Sequence, residues 1–98
     1  MEDEKLRVDI LGILYSKRNG EKYVSYRELY QRLGYVDNLS LLNEIISMNY
    51  LRLIKIQNGL TRFLEGSDFQ NIMSITPEGE TYFKQSLLKK KLLLLAQV

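Results

Sequence analysis

The segment from Val24 to Gln57 constrains the fold of this chain most, because it contains start and stop signals for two short helices in close succession. Ser25 and Glu28 have the spacing of a capping box, in which each side chain bonds a free backbone N–H of the first helical turn. Gly34 supplies the left-handed residue that ends a helix. The segment therefore predicts a helix that begins at Ser25 and stops at a tight turn.

A second helix is predicted immediately after that turn, between Asn38 and Met48, with Asp37 or Asn38 as its cap. Asn49 lies where this helix should end, and asparagine tolerates a positive φ nearly as well as glycine does. Residues 51–57 follow with the Leu and Ile content of a strand. Two short helices joined by a tight turn are typical of a helix-turn-helix, and a strand directly after them is typical of its winged form.

Length and composition favour one globular domain over residues 1–98, since hydrophobic residues make up 45% and charged residues 27% of the chain. Cysteine and histidine are both absent. Disulfides and thiolate chemistry are therefore excluded, and the commonest general base and metal ligand is missing. We accordingly expect no enzymatic activity, no cofactor and no metal. The formal net charge of +2 permits nucleic-acid binding without requiring it.

The chain ends carry little targeting information. The acidic start, MEDEKLRVD, lacks the basic residues that open a signal peptide, and the apolar runs are too short to span a bilayer. We therefore expect a cytoplasmic protein with no membrane contact.

Two further helices flank the central segment, one from about Glu4 to Lys17 and one from Thr76-Pro77-Glu78 to about Leu95. A strand is predicted over residues 71–75, before the last helix. Both helices carry a second apolar stripe beside the one needed for a small core. One interpretation is that a single copy wraps both stripes inside itself. The other, which we prefer, is a homodimer with residues 77–95 as the dimerisation element and an interface that contains Leu11, Tyr15, Leu88, Leu92 and Leu95.

The helix predicted from Asn38 to Met48 has an apolar side centred on Leu42 and a polar side opposite. Leu39, Ile45 and Ile46 accompany Leu42 on the first side. The polar side carries one acid and no Lys or Arg, and it consists of Ser40, Asn43, Glu44 and Ser47.

Three passages resemble the winged helix-turn-helix transcription regulators, especially small single-domain proteins of archaea and their viruses and plasmids. Residues 45–51, IISMNYL, are similar to the family's L-x-x-x-G-[LY]-[ILV] close of the third helix, with Asn49 in place of Gly. Residues 75–83, ITPEGETYF, are similar to its [IL]-T-x-x-G passage from the wing into a helix. With Tyr26-Arg27-Glu28-Leu29 in the second helix, the resemblance extends from about Leu6 to Phe83. It implies a mostly helical α+β fold with a three-helix core, a two- to three-stranded wing and an extra C-terminal helix.

The resemblance also implies a DNA-binding transcriptional regulator, with the third helix in the major groove and the wing on the backbone. Ser40, Asn43, Glu44 and Ser47 would then face bases, and Arg27, Lys55 and Arg62 would face phosphates. A third helix without cations predicts weak binding by one copy, which a dimer would offset. The alternative is a winged-helix module that binds another protein and does not contact DNA.

Overall fold

The computed structural model describes residues 2–57 and 72–96. They form a mostly helical α+β structure with four helices and a three-stranded antiparallel sheet, which confirms the predicted class. The elements are α1 (Glu2–Ser16), β1 (Val24–Ser25), α2 (Tyr26–Arg32), α3 (Asn38–Tyr50), β2 (Ile54–Ile56), β3 (Ile72–Ile75) and α4 (Pro77–Ala96).

The sheet has the order β1-β3-β2, so β3 lies in the centre. Val24 of β1 is opposite Met73 of β3, and Lys55 of β2 is opposite Ser74. Strand β2 is shorter than the predicted 51–57, because the chain turns before Ile54.

One hydrophobic core joins α1, α2, α3 and the sheet. Its buried apolar residues are Leu6, Ile10, Leu11, Leu14, Val24, Tyr26, Leu29, Leu33, Leu41, Ile45, Met48, Leu53, Ile54, Ile56, Met73 and Ile75. Leu11 is completely buried within one copy, so its assignment to a dimer interface was wrong. The apolar side of α1 is wide enough to place Ile10, Leu11 and Leu14 in the same core. Tyr15 is partly buried and stacks against Phe83 of α4, with 5.1 Å between the ring centroids.

The predicted helix starts of α2 and α3 are present. The Ser25 hydroxyl accepts the Glu28 N–H at 3.1 Å, while the Glu28 carboxylate pairs with Lys17 and Arg32 and does not complete the capping box. At α3, the Asp37 carboxylate accepts the Ser40 N–H at 2.7 Å. That backbone hydrogen bond lowers the pKa of Asp37, so the cap is ionised at neutral pH.

The end of α3 differs from the prediction, because the left-handed residue is Arg52, with φ of 62°, and not Asn49. The Leu53 N–H bonds to the Met48 carbonyl at 2.9 Å, and the Arg52 N–H bonds to the Asn49 carbonyl at 3.1 Å. This pair of bonds is the Schellman arrangement, which satisfies carbonyls left open at a helix end. Arg52, four residues after Met48, thus takes the position that glycine most often occupies at the end of a helix.

Helix α4 begins against this turn. The Thr76 hydroxyl accepts the Gly79 N–H at 3.0 Å and donates to the Arg52 carbonyl at 2.6 Å. A Cβ atom on Gly79 would lie 2.0 Å from the Leu53 carbonyl oxygen, so the two backbones meet at a distance that only glycine allows. The [IL]-T-x-x-G passage is therefore a cap combined with a close backbone approach.

Helix α4 then runs antiparallel to α1. Near the start of α4, Glu80 Oε1 lies 3.8 Å from Arg18 Nε, which follows the end of α1. Farther along α4, Leu93 lines the same groove as Glu4 near the start of α1. The leucines in the last turns of α4 remain more than half exposed.

We expect Gly79→Ala to lower the free energy of unfolding by about 2–3 kcal/mol, because the methyl group forces the start of α4 away from Leu53. Urea unfolding followed by circular dichroism measures this loss. Gly20→Ala is the matched control, since a Cβ there meets nothing within 4 Å and its effect should stay within about 0.5 kcal/mol. Equal stability of the two variants would contradict the close approach.

Candidate nucleic-acid interface

The outer surface of α3 is rotated by roughly a third of a turn from the predicted one. The buried residues are Leu41, Glu44, Ile45 and Met48, so of the set centred on Leu42 only Ile45 is fully buried. Leu42 itself is partly buried against the core. Leu39 is 68% exposed and Tyr50 is 83% exposed. The sequence of α3 contains two adjacent apolar stripes, and contacts with α1 and the sheet select the one that includes Leu41.

Two of the four predicted base-facing residues, Ser40 and Asn43, lie on this outer surface. Both are exposed and uncharged. Their hydroxyl and amide groups offer hydrogen-bond donors and acceptors.

Glu44 was wrongly predicted to be on the outer surface, since it is only 6% exposed. Its carboxylate accepts a hydrogen bond from Arg7 Nε of α1 at 2.6 Å. Ser47 is half-buried, and its hydroxyl accepts from Arg7 Nη2 at 3.3 Å. The physical reason is that burial of an ionised carboxylate requires a paired cation, and Arg7 provides it from the neighbouring helix.

Burial alone would lower the pKa of Arg7, but its hydrogen bonds to Glu44 and Tyr82 outweigh that effect and raise the pKa. The guanidinium is charged at any physiological pH and pairs with the Glu44 carboxylate. As a result, the exposed residues of α3 carry no negative charge, and Asp37 is the acid at its N-terminal end.

Of the three residues predicted to face phosphates, two are described by the structure. Arg27 is exposed on α2, and Lys55 is exposed on β2 between the buried Ile54 and Ile56. Arg62 lies outside the described residues. The structure adds Arg52, an exposed cation between α3 and β2 that the sequence analysis did not select. Its left-handed conformation is set by backbone contacts with Met48, Asn49 and Thr76, which the local sequence does not show.

The three predicted interface leucines of α4 are Leu88, Leu92 and Leu95, which are 57%, 57% and 62% exposed. Helical periodicity places them on the side of α4 opposite Phe83, which packs against α1. They therefore form an apolar stripe that α1 does not cover.

A groove of about 440 Å³ lies between α1 and α4, with an apolar floor that includes Val8, Leu87 and Leu93. Charged groups at its rim bond to one another. Lys5 pairs with Asp9 at 2.9 Å, and the Tyr35 hydroxyl donates to Asp9 at 2.6 Å. Burial raises the pKa of Asp9, but these two hydrogen bonds overcome it and the net pKa is lowered.

Within residues 2–57 and 72–96, no group of three or more His, Cys, Asp or Glu side chains is arranged to hold a metal ion. No helix in the same ranges is long and apolar enough to cross a membrane. Comparison of the chain with protein-family models, curated proteins and solved structures found no match.

The Arg7–Glu44 pair should orient α3 on α1, and its disruption should be costly. We expect Arg7→Met and Glu44→Leu each to lower the free energy of unfolding by about 2–4 kcal/mol, because each leaves a charge buried without its partner. The double variant should lose less than either single variant. Urea unfolding of all four proteins gives the coupling energy.

The matched control is Lys5→Met, which breaks an exposed pair with Asp9 and should change the free energy of unfolding far less than either single variant. Additive losses in the double variant would contradict a coupled pair at Arg7 and Glu44.

Proposed function

We propose that this protein is a winged helix-turn-helix transcriptional regulator that binds double-stranded DNA, with α3 in the major groove and the segment between β2 and β3 on the DNA backbone. One observation carries the proposal. The order α1-β1-α2-α3-β2-β3, with sheet order β1-β3-β2, covers one side of α3 and leaves Leu39, Ser40, Asn43 and Tyr50 exposed outside the covered side. Helix-turn-helix proteins insert such an uncovered second helix into the major groove.

The exposed side of α3 has chemistry that suits base recognition. The Asn43 amide can bond bidentately to adenine, and the Ser40 hydroxyl can donate or accept at several base edges. Leu39 can contact a thymine methyl group. Burial of Glu44 supports the same function, because an exposed carboxylate on this surface would repel phosphates.

Electrostatic attraction would come from Arg27 on α2, Lys55 on β2 and Arg62, which lies outside the described residues. Each neutralised phosphate makes the slope of log affinity against log salt concentration more negative by about 0.9. Three such contacts would give a slope near −3 for one copy, which corresponds to weak binding. Two copies on one duplex would double that slope.

We include a homodimer in this proposal, with α4 as the helix that forms the dimer interface. Leu88, Leu92 and Leu95 repeat at the spacing of a coiled-coil seam. Leucines at these exposures each leave on the order of 100 Å² in water. Leu88, Leu92 and Leu95 therefore offer roughly 600 Å² over two copies, about half of the roughly 1,200 Å² at the lower limit for a stable interface, so neighbouring side chains must contribute the rest.

Lysines flank the seam on both sides, at Lys84, Lys89 and Lys91, and all three are exposed. In a pair of α4 helices these like charges repel. Added salt screens that repulsion and should strengthen the dimer, whereas it should weaken DNA binding.

The proposed role of Asn43 in base recognition and that of Lys55 in phosphate attraction can be tested by separate variants. With duplexes selected from a random pool, we expect Asn43→Ala to lose about 1–3 kcal/mol of binding free energy on the selected sequence and almost none on random duplex. Lys55→Ala should weaken binding to every duplex alike and reduce the salt slope by about 1 per bound copy. Fluorescence anisotropy over a salt series measures both.

Gln31→Ala is the control, as an exposed uncharged residue on α2. Absence of binding to any duplex at low salt would overturn the proposed function.

A second function, docking on another protein, is favoured by a different observation. Three large apolar side chains are exposed on α3 and at its end: Leu39, Tyr50 and Leu51, the last at 47%. Contiguous exposed apolar residues often mark protein-binding surfaces. Binding to random duplex that falls steeply with salt favours the first function, and no binding at low salt favours this one.

The double variant Leu88→Gln with Leu92→Gln tests the dimer. It leaves the net charge of the chain unchanged and removes apolar area from the seam. We expect this variant to sediment as a monomer at tens of micromolar, where the parent protein sediments as a dimer. Leu88→Met with Leu92→Met retains the apolar volume and should remain dimeric. A parent protein that is a monomer at this concentration in both low and high salt would contradict the dimer.

A further inference from the structure

Arg52 has a backbone conformation that arginine rarely adopts. Its φ of 62° is the only positive φ of a non-glycine residue in the described ranges. This left-handed region brings Cβ close to the following carbonyl oxygen, so glycine is the usual residue there and asparagine the next choice.

The fold demands this conformation at residue 52 whatever the side chain. The Arg52 N–H bonds to Asn49, the Arg52 carbonyl accepts from Thr76, and the next N–H closes the turn onto Met48. The backbone on both sides of Arg52 is therefore held in place, and glycine would satisfy the same bonds without strain.

The Arg52 side chain makes no ion pair within the described part of the chain. It is exposed, and Lys55 follows it three residues later on β2 and is also exposed. The last turn of α3 itself contains no basic residue. Arg52 and Lys55 thus provide two cations at the point where α3 passes into the sheet.

We propose that Arg52 is a phosphate-contacting residue that holds the C-terminal end of α3 against the DNA backbone. The guanidinium bonds phosphate oxygens bidentately, and a fixed backbone limits where it can reach. A contact of this kind sets the depth and angle of a helix in the groove without reading sequence. This inference rests on the proposed function, since it requires that α3 bind DNA.

If Arg52 had a purely structural role, its replacement by glycine would change the stability of the fold in the opposite direction. A cation after the last turn offsets the negative end of the α3 helix dipole and would stabilise the fold. If that were the main role, removal of the arginine would lower stability. If Arg52 is retained for DNA at the expense of backbone strain, replacement by glycine should raise stability.

The experiment compares Arg52→Gly, Arg52→Ala and Arg52→Lys with the parent protein, by thermal unfolding and by anisotropy on random duplex over a salt series. We expect Arg52→Gly to melt above the parent protein, and about 4–8 °C above Arg52→Ala, which lacks the same charge but keeps the strained Cβ. Both variants should bind roughly five- to tenfold more weakly at 0.1 M salt, with a salt slope smaller by about 1 per bound copy. Arg52→Lys should keep the parent slope.

Three outcomes would overturn the inference. If the parent binds DNA and Arg52→Ala shows the same slope and affinity, the phosphate contact is refuted while the proposed function stands. If Arg52→Gly melts no higher than Arg52→Ala, the strain argument fails. If the parent binds no duplex at low salt, both the inference and the proposed function fail.

Discussion

The arrangement of α3, β2 and α4 depends on one close backbone contact, between the Leu53 carbonyl and the first turn of α4. This carbonyl accepts the Thr76 N–H at 3.2 Å, and it lies where a Cβ of residue 79 would otherwise be. Because β2 begins directly after Leu53, the contact sets where α3 ends, where the sheet begins and in which direction α4 leaves. A displacement here would move α4 relative to the exposed side of α3.

Local signals in the sequence were sufficient to place the helices and to give the mostly helical α+β class. Ser25, Asp37 and Thr76 each cap a helix through a residue three positions later, so their pattern can be read without knowledge of the fold. The end of α3 was misplaced because Asn49 suits a left-handed conformation and Arg52 does not. The choice of Arg52 is made by the bonds of the turn to Met48 and Thr76, which local propensity does not reveal.

The wrong predictions for Glu44 and Leu11 have a common cause. Both residues contact partners that are far from them in the sequence. Glu44 was expected outside because acids are seldom buried, yet Arg7 lies 37 residues earlier and neutralises it. Leu11 was expected at a dimer interface because α1 has more apolar residues than one stripe needs. The core uses Leu11 because α1 packs against α3, β3 and α4, and only the assembled structure shows how much of a helix its neighbours cover.

If α3 binds DNA as we propose, the burial of Glu44 separates sequence recognition from electrostatic attraction, which many DNA-binding helices combine on one surface. The exposed side of α3 would supply hydrogen bonds and apolar contacts, while Arg27, Lys55 and Arg52 would supply attraction from neighbouring elements. Uncharged contacts depend little on ionic strength, whereas phosphate contacts weaken steeply with it. Salt would then lower affinity for all duplexes by a similar factor, and the ratio between specific and random sequences would change little. If the lysine-flanked α4 helices also pair as we propose, the same salt would strengthen their pairing. Moderate ionic strength would then favour paired copies that discriminate between sequences over single copies held by charge alone.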